Sequence, residues 1–250
     1  MTLPAVFLNR PIAHRGLHDT AQGRAENSTS AFAAAIARGY GIELDLQLSS
    51  DGVPMVFHDY DLGRLTDETG AVAQRTAAEL TTIALKHDGG TIPTLTAVLQ
   101  HVAGDVPLLI EIKDQDGALG PDVGPMGRAV ADVLRGYDGA AAVMSFNPHA
   151  IIEMRDLLPD VPRGLVTDPY AGDDWPTVPA ATRTRLAGIP DYDAAGCCFV
   201  SHNVGDLDAP RIAALKDQGA AILCWTVRSA AVETKARRIV DNVTFEGYLA

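Results

Sequence analysis

A closed (β/α)8 barrel is the fold this sequence predicts, on three observations. The chain has 250 residues, roughly the size at which a single α/β barrel closes. Nine short runs rich in Val, Ile, Leu and Phe are interleaved with Ala-rich helical stretches, the pattern of βαβ crossovers in a parallel sheet. Two neighbouring runs, Ile42 to Leu48 and Val53 to His58, are joined only by Ser49-Ser50-Asp51-Gly52. That link is too short for a crossover and carries the Asp-Gly signal of a hairpin. Setting the hairpin arm aside leaves eight parallel strands, the number that closes a barrel.

Along the chain, strands are expected at Pro11 to His14, Ile42 to Leu48 with its return arm Val53 to His58, and Leu108 to Lys113. Further strands follow at Ala141 to Phe146, Gly164 to Thr167, Cys197 to Ser201, Ala221 to Val227 and Asn242 to Phe245. Each is a short β-rich run between turn signals. Helices are expected over Ser28 to Arg38, Leu95 to Val102, Met126 to Leu134, Pro148 to Leu157, Ala209 to Gln218 and Ala230 to Ile239, with Asn27 or Ser28 capping the first. The Gly/Pro-rich stretches Asp116 to Gly127 and Asp168 to Pro190 read as loops. No G-x-G-x-x-G or Walker loop follows the first strand, which argues against an open nucleotide-binding sheet. With no internal repeat or linker, residues 1–250 read as one domain.

Hydrophobic residues make up 47% and charged residues 21%, enough to bury a large core and unlike a disordered chain. Twenty Lys+Arg against 32 Asp+Glu give a net charge of −12, which argues against nucleic acid and anionic lipid as partners. The three cysteines, Cys197, Cys198 and Cys224, make no disulfide framework and read as small core residues in a reducing compartment. No leader pattern and no run of membrane-spanning length is visible, so a cytoplasmic chain with no membrane span is expected.

Chemistry concentrates in a few places. In Ile42-Glu43-Leu44-Asp45-Leu46 both carboxylates project from one strand face and the apolar residues from the other. Two adjacent buried carboxylates need a proton, a base or a metal; the competing reading is a solvated polar face. If Asp51-Gly52 is a two-residue turn, Ser50 faces Val53 and His58 lies opposite Asp45. Glu111 and Lys113 repeat the alternate spacing at a strand's C-terminal end, where barrel enzymes keep their chemistry; a core ion pair is the alternative. Glu43, Asp45 and Glu111 together offer the oxygen set that suits one divalent cation, Mg²⁺ or Ca²⁺. The first strand ends in His14-Arg15-Gly16. Its Arg supplies a fork for phosphate oxygens and its His, if not a core histidine, a proton-transfer group. Two histidines, an arginine, a lysine and a cation form a set for phosphoryl chemistry.

Taken in order, His14-Arg15-Gly16, Glu26-Asn27, Glu43-Leu44-Asp45, Asp51 to Asp59, Ile92-Pro93-Thr94-Leu95, Glu111-Ile112-Lys113 and Trp225-Thr226-Val227 resemble the glycerophosphodiester phosphodiesterase family over most of the chain. The resemblance implies a distorted TIM barrel that hydrolyses small glycerophosphodiesters to glycerol 3-phosphate and an alcohol with one divalent cation. It implies metal ligation by Glu43, Asp45 and Glu111, acid/base roles for His14 and His58, and phosphate contacts from Arg15 and Lys113. Trp225 is expected as an apolar wall for glycerol, with a core residue as the alternative, and Glu26 as a group orienting Arg15 or its loop, with a direct metal role as the alternative. Alternatives are a related phospholipase with an apolar rim at Leu62, Tyr170 and Trp175, or a barrel that binds phosphodiesters without catalysis. Two positions depart from the family pattern: Arg228 stands where Asn is frequent, and Phe245-Glu246-Gly247 where Asp-x-Pro is frequent. His18, His87, His101, His149 and His202 are expected to be surface or structural, and Asp59, Arg64 and Asp67 a solvated loop face.

Overall fold

In a computed structural model describing residues 1–250, eight strands run parallel and close on themselves: β1 (Ile12–Ala13), β2 (Gly41–Leu48), β4 (Leu108–Ile112), β5 (Ala141–Ser145), β6 (Arg163–Thr167), β7 (Phe199–Asn203), β8 (Ala221–Val227) and β9 (Asn242–Phe245). Closure is made by β1, which pairs with β9 on one side and β2 on the other. The ninth strand, β3 (Pro54–Val56), runs antiparallel on β2. Helices lie between the strands: α1 (Thr29–Ala37), α2 (Ala77–Leu80), α3 (Leu95–Val102), α4 (Met126–Leu134), α5 (Pro148–Leu157), α6 (Ala180–Ala187), α7 (Pro210–Asp217) and α8 (Ala230–Ala236). None is long and apolar enough to cross a membrane.

The brevity of β1 explains the hairpin arm. Glu43 O accepts from Gly16 N, just past β1, while Asp45 O accepts from Phe57 N. Both oxygens lie on the edge of β2 away from β4, so the arm takes the part of that edge which β1 leaves free. The hairpin register differs from expectation by one residue. Leu48 pairs with Pro54 and Ser49 N donates to Val53 O, so Phe57, not His58, stands opposite Asp45. The link is a three-residue loop, Ser50-Asp51-Gly52, closed by Gly52 at φ +81° and by Ser49 Oγ accepting from Val53 N. Because β3 ends at Val56, strand alternation does not govern His58. Its carbonyl is held by Gln47 Nε2 at 3.0 Å.

Side-chain alternation divides the protein into layers. Ile42, Leu44 and Leu46 face outward into the main core against the helices, joined by Phe32, Leu95, Val98 and Val130. Each such buried side chain contributes about 1.5–3 kcal/mol. Leu109, Met144, Val166, Phe199 and Leu223 fill the barrel interior, and Leu3 and Phe7 from the N-terminal segment join this cluster. Gly164 makes room for that packing, since a Cβ there would stand 2.5 Å from the Phe199 ring. Asn242 ties the N-terminal segment to β9, its Nδ2 donating to the carbonyls of Phe7 and Arg10.

One expected loop, Asp168 to Pro190, contains α6 (Ala180–Ala187), whose only buried residue is Leu186; without an apolar stripe, the helix leaves no periodic signal. The run expected at Cys197 to Ser201 begins at Phe199 instead. Cys198 and Cys224 are buried and Cys197 is half-buried, all three as free thiols, and burial pushes Cys197 and Cys224 up to about 12.

Candidate active site

Glu43 and Asp45 point into the barrel mouth from β2, and Glu111 joins them from β4, where it is the register partner of Asp45. All three are buried, and an oxygen from each lies within 4.8 Å of the others. Lys113, just past β4, sets its Nζ 2.7 Å from Asp45 Oδ1 and 2.6 Å from Glu111 Oε1. Arg15 Nε is 3.2 Å from Asp45 Oδ2, and the Arg15 backbone N donates to Glu43 Oε2 at 2.9 Å. Burial would raise Asp45, yet Lys113, His58 and Arg15 outweigh it and hold its carboxyl well below the usual range. Glu43 goes the other way: burial first, then the charges of Asp45 and Glu111, push it well above that range. The trio thus has one carboxyl more than the two cations beside it.

The turn after β1 is built for this contact. Arg15 and Gly16 adopt φ of +55° and +79°, and a Cβ on Gly16 would lie 2.9 Å from Ala31 and Phe32 of α1. Asn27, also at positive φ, donates from Nδ2 to Asp45 Oδ2 at 2.9 Å and accepts from Asp45 N at 3.3 Å. Ser28, not Asn27, caps α1, its Oγ accepting from Ala31 N.

Both predicted histidines line one cavity of about 130 Å³ together with Arg15, Glu43, Glu111, Lys113, Trp225 and Arg228. Each has a carboxylate on Nδ1: Glu246 Oε2 at 2.5 Å from His14 and Asp59 Oδ1 at 2.6 Å from His58. Each carboxylate is held by an arginine, Arg228 Nε to Glu246 Oε1 at 2.7 Å and Arg64 Nε to Asp59 Oδ2 at 2.6 Å. Despite burial, these partners keep Asp59 and Glu246 well below the usual carboxylate range. Ionised, they can only accept, so each imidazole donates from Nδ1 and Nε2 is left as the free nitrogen. Burial lowers His14 to about 4 against the pull of Glu246, making it neutral at pH 7.

Trp225 and Thr226 both line the cavity, which strict alternation would forbid. A register shift between β8 and β9 from Cys224 to Val227 turns both toward the mouth. The wall also includes the buried hydroxyls of Ser201 and Thr244, which have no hydrogen-bond partner. A wider cavity of about 600 Å³ adjoins through His58, Glu111, Lys113 and Phe146, and continues past Tyr60, Asp114 and Trp175.

Comparison with known proteins agrees with this architecture. The model of the glycerophosphoryl diester phosphodiesterase family matches residues 14–245. The chain belongs to this family. It is 28% identical over 242 residues to YhdW of Bacillus subtilis, a protein that carries the glycerophosphodiester phosphodiesterase name, covering 93% of this chain and 92% of that one. It is 30% identical over 173 residues to a glycerophosphodiester phosphodiesterase of Caldanaerobacter subterraneus, covering 66% and 69% of the two chains. Among solved structures, an Oleispira antarctica phosphodiesterase in complex with the product sn-glycerol-3-phosphate superposes with a TM-score of 0.77 at 25% identity, over 96% of this chain and 93% of that chain.

His14, Arg15, Glu43, Asp45, His58, Glu111, Lys113 and Trp225 thus meet at one end of the barrel, and the structure adds residues that motif reading assigned elsewhere. Asp59 and Arg64, expected on a solvated face, join His58 to Glu26, which accepts from Arg64 and from Arg15 Nη1 at 2.7 Å. Asp67 does stay in solvent, its side chain 97% exposed. The two departures from the family pattern, Arg228 and Glu246, are partners of one another. His18, expected to be surface or structural, places Nε2 3.6 Å from Glu246 Oε2. His202 is buried and structural, hydrogen-bonded to Thr167 through Nδ1.

Proposed function

We propose that this chain hydrolyses glycerophosphodiesters to sn-glycerol 3-phosphate and an alcohol, using one divalent cation, Mg²⁺ or Ca²⁺, and the acid/base pair His14 and His58. The observation that carries the reading is the convergence on one cavity of two carboxylate-backed imidazoles, a cationic pair and the buried carboxylates Glu43 and Glu111, with Asp45 completing the trio beside them. The trio fits a hard cation: its donors are all oxygen, and its three carboxyls outnumber the two cations, Arg15 and Lys113, beside them. Glu43, Asp45 and Glu111 would hold it. Bound there, the cation would offset the phosphodiester's charge and polarise phosphorus.

The chain's own groups supply the rest. Arg15 and Lys113 bind phosphate oxygens and stabilise the charge that grows on them. His14, neutral and with Nε2 free, takes the proton of the attacking oxygen, which is that of water or of the substrate's glycerol hydroxyl; in the second case a water then opens the cyclic phosphate to glycerol 3-phosphate. His58, shared between the two cavities, gives a proton to the leaving alkoxide, whose alcohol extends into the wider one. The glycerol lies in the inner cavity against Trp225, with Ser201 and Thr244 facing its hydroxyls.

Replacing either His14 or His58 with Ala is expected to lower kcat about 10²–10⁴-fold at unchanged circular dichroism; a near-normal rate in either variant would refute its role. Chelation should abolish release of glycerol 3-phosphate from glycerophosphocholine, with Mg²⁺, Ca²⁺ or Mn²⁺ restoring it. The phospholipase reading is less favoured, because Leu62 and Tyr170 are only 0% and 5% exposed, which leaves the half-buried Trp175 alone of the three expected rim residues.

A further inference from the structure

The acidic trio is not the only group of ligand atoms at the mouth. Behind His14, on the side away from Glu43, Glu246 Oε2 meets both His14 Nδ1 and His18 Nε2, and a ligand atom from each of the three residues lies within 4.8 Å of the others. Two of these residues follow β1 and the third follows β9, strands that pair side by side, so the barrel scaffold sets the grouping. The His18 Nε2 atom is buried without a hydrogen-bond partner. Arg228 occupies only Oε1 of Glu246, which leaves Oε2 to both imidazoles.

We propose that His14, His18 and Glu246 form a second cation site, selective for zinc-like ions over Mg²⁺ and Ca²⁺, whose occupation inhibits the enzyme. The donor chemistry separates the two sites: two imidazole nitrogens and one carboxylate oxygen suit a borderline transition ion, whereas three carboxylates suit a hard one. Size agrees as well. Tetrahedral zinc with bonds of about 2.0–2.1 Å sets its ligand atoms roughly 3.3 Å apart. His18 and Glu246 stand at 3.6 Å, and His14 and Glu246, at 2.5 Å, need only part by about 0.8 Å to reach that spacing.

Inhibition follows from which nitrogen the ion takes. When the ion binds Nδ1 of His14, the proton there moves to Nε2; the ring stays neutral, but the lone pair that would accept the substrate's proton is used. The inhibitory half of the proposal rests on the acid/base role of His14, and the binding half does not.

The test titrates Zn²⁺ against enzyme saturated with Mg²⁺, comparing wild type, H18A and the control H101A, which changes an exposed histidine on α3. Co²⁺ absorption in the visible gives a binding readout independent of turnover. H18A should keep the Mg²⁺-supported rate, need at least about tenfold more Zn²⁺ for half-inhibition, and lose a Co²⁺ band that H101A retains. Equal Zn²⁺ sensitivity and equal Co²⁺ spectra in wild type and H18A would overturn the site. A Co²⁺ band lost in H18A, with no Zn²⁺ inhibition of the wild type, would keep the binding site and overturn the inhibitory claim, while the rate of H14A judges the acid/base role of His14 separately.

Discussion

Glu246 Oε2 lies 2.5 Å from Nδ1 of His14 across 232 residues of chain, and the contact decides what the imidazole can do. An ionised carboxylate on Nδ1 fixes the tautomer and the ring plane and so aims the Nε2 lone pair into the cavity. Glu246 is therefore a positioning residue, steadied by the two-thirds-exposed side chain of Arg228. E246A should lower kcat about 10–100-fold with little change in KM. E246Q, whose amide oxygen can still accept from Nδ1, should recover part of the loss. A rise in KM at constant kcat would instead place Glu246 on the substrate.

Protonation of Glu43 couples cation binding to pH. Its carboxyl is raised in the folded protein, so the metal-free native state holds a proton that the unfolded chain releases above the ordinary carboxylate range. Protons bound in the native state exceed those in the unfolded state there, so this group's contribution to stability falls as pH rises through that range. A cation needs the carboxylate ionised, so its affinity should rise with pH, and binding should release protons over the range in which Glu43 is still protonated. Calorimetry of Mg²⁺ binding in two buffers of different ionisation enthalpy measures that release, and E43Q should abolish it. Equal heats in the two buffers would contradict the linkage.

Asn27 offers a test of how the trio is held. Its amide meets both the carboxylate and the backbone N–H of Asp45. Losing it should weaken cation affinity about 10–100-fold and leave a buried N–H unpaired, at a cost of about 1–3 kcal/mol. Because Asn27 sits at φ +56°, Ala would add backbone strain of its own, so N27G is the cleaner variant. Mg²⁺ titration of N27G with an affinity equal to wild type would show that Asp45 needs no such clamp.

These residues also show what the sequence could reveal. Two-residue alternation placed Glu43, Asp45 and Glu111 inward, because a strand buried on both faces must segregate its charges from its apolar residues. His58 reached the site although its expected register was wrong, since the loop holds three residues and the chain leaves the strand before His58. The carboxylate–arginine supports were illegible for another reason. Glu246, Arg228, Asp59 and Arg64 read like any surface charges; closure of the barrel through β1 and β9 brings Glu246 beside His14, and packing of the segments that follow β1 and β3 brings Arg64 beside Glu26. Helix α6 was hidden because Leu186 alone is buried on it.

Ser201 and Thr244 test where the glycerol lies. Both side chains are buried at the cavity wall, and neither hydroxyl has a partner. A hydroxyl in that condition costs the folded protein about 1–3 kcal/mol, recovered when a ligand hydroxyl pairs with it. S201A and T244V should therefore leave stability unchanged or higher, since each removes an unpaired polar atom. For glycerophosphodiesters, each should raise KM by up to about tenfold, the equivalent of roughly 1.4 kcal/mol. Bis(p-nitrophenyl) phosphate, a diester without glycerol, separates glycerol recognition from a general disturbance of the site. Its KM should stay near the wild-type value in both variants, and an equal rise for both substrates would move the glycerol away from these two hydroxyls.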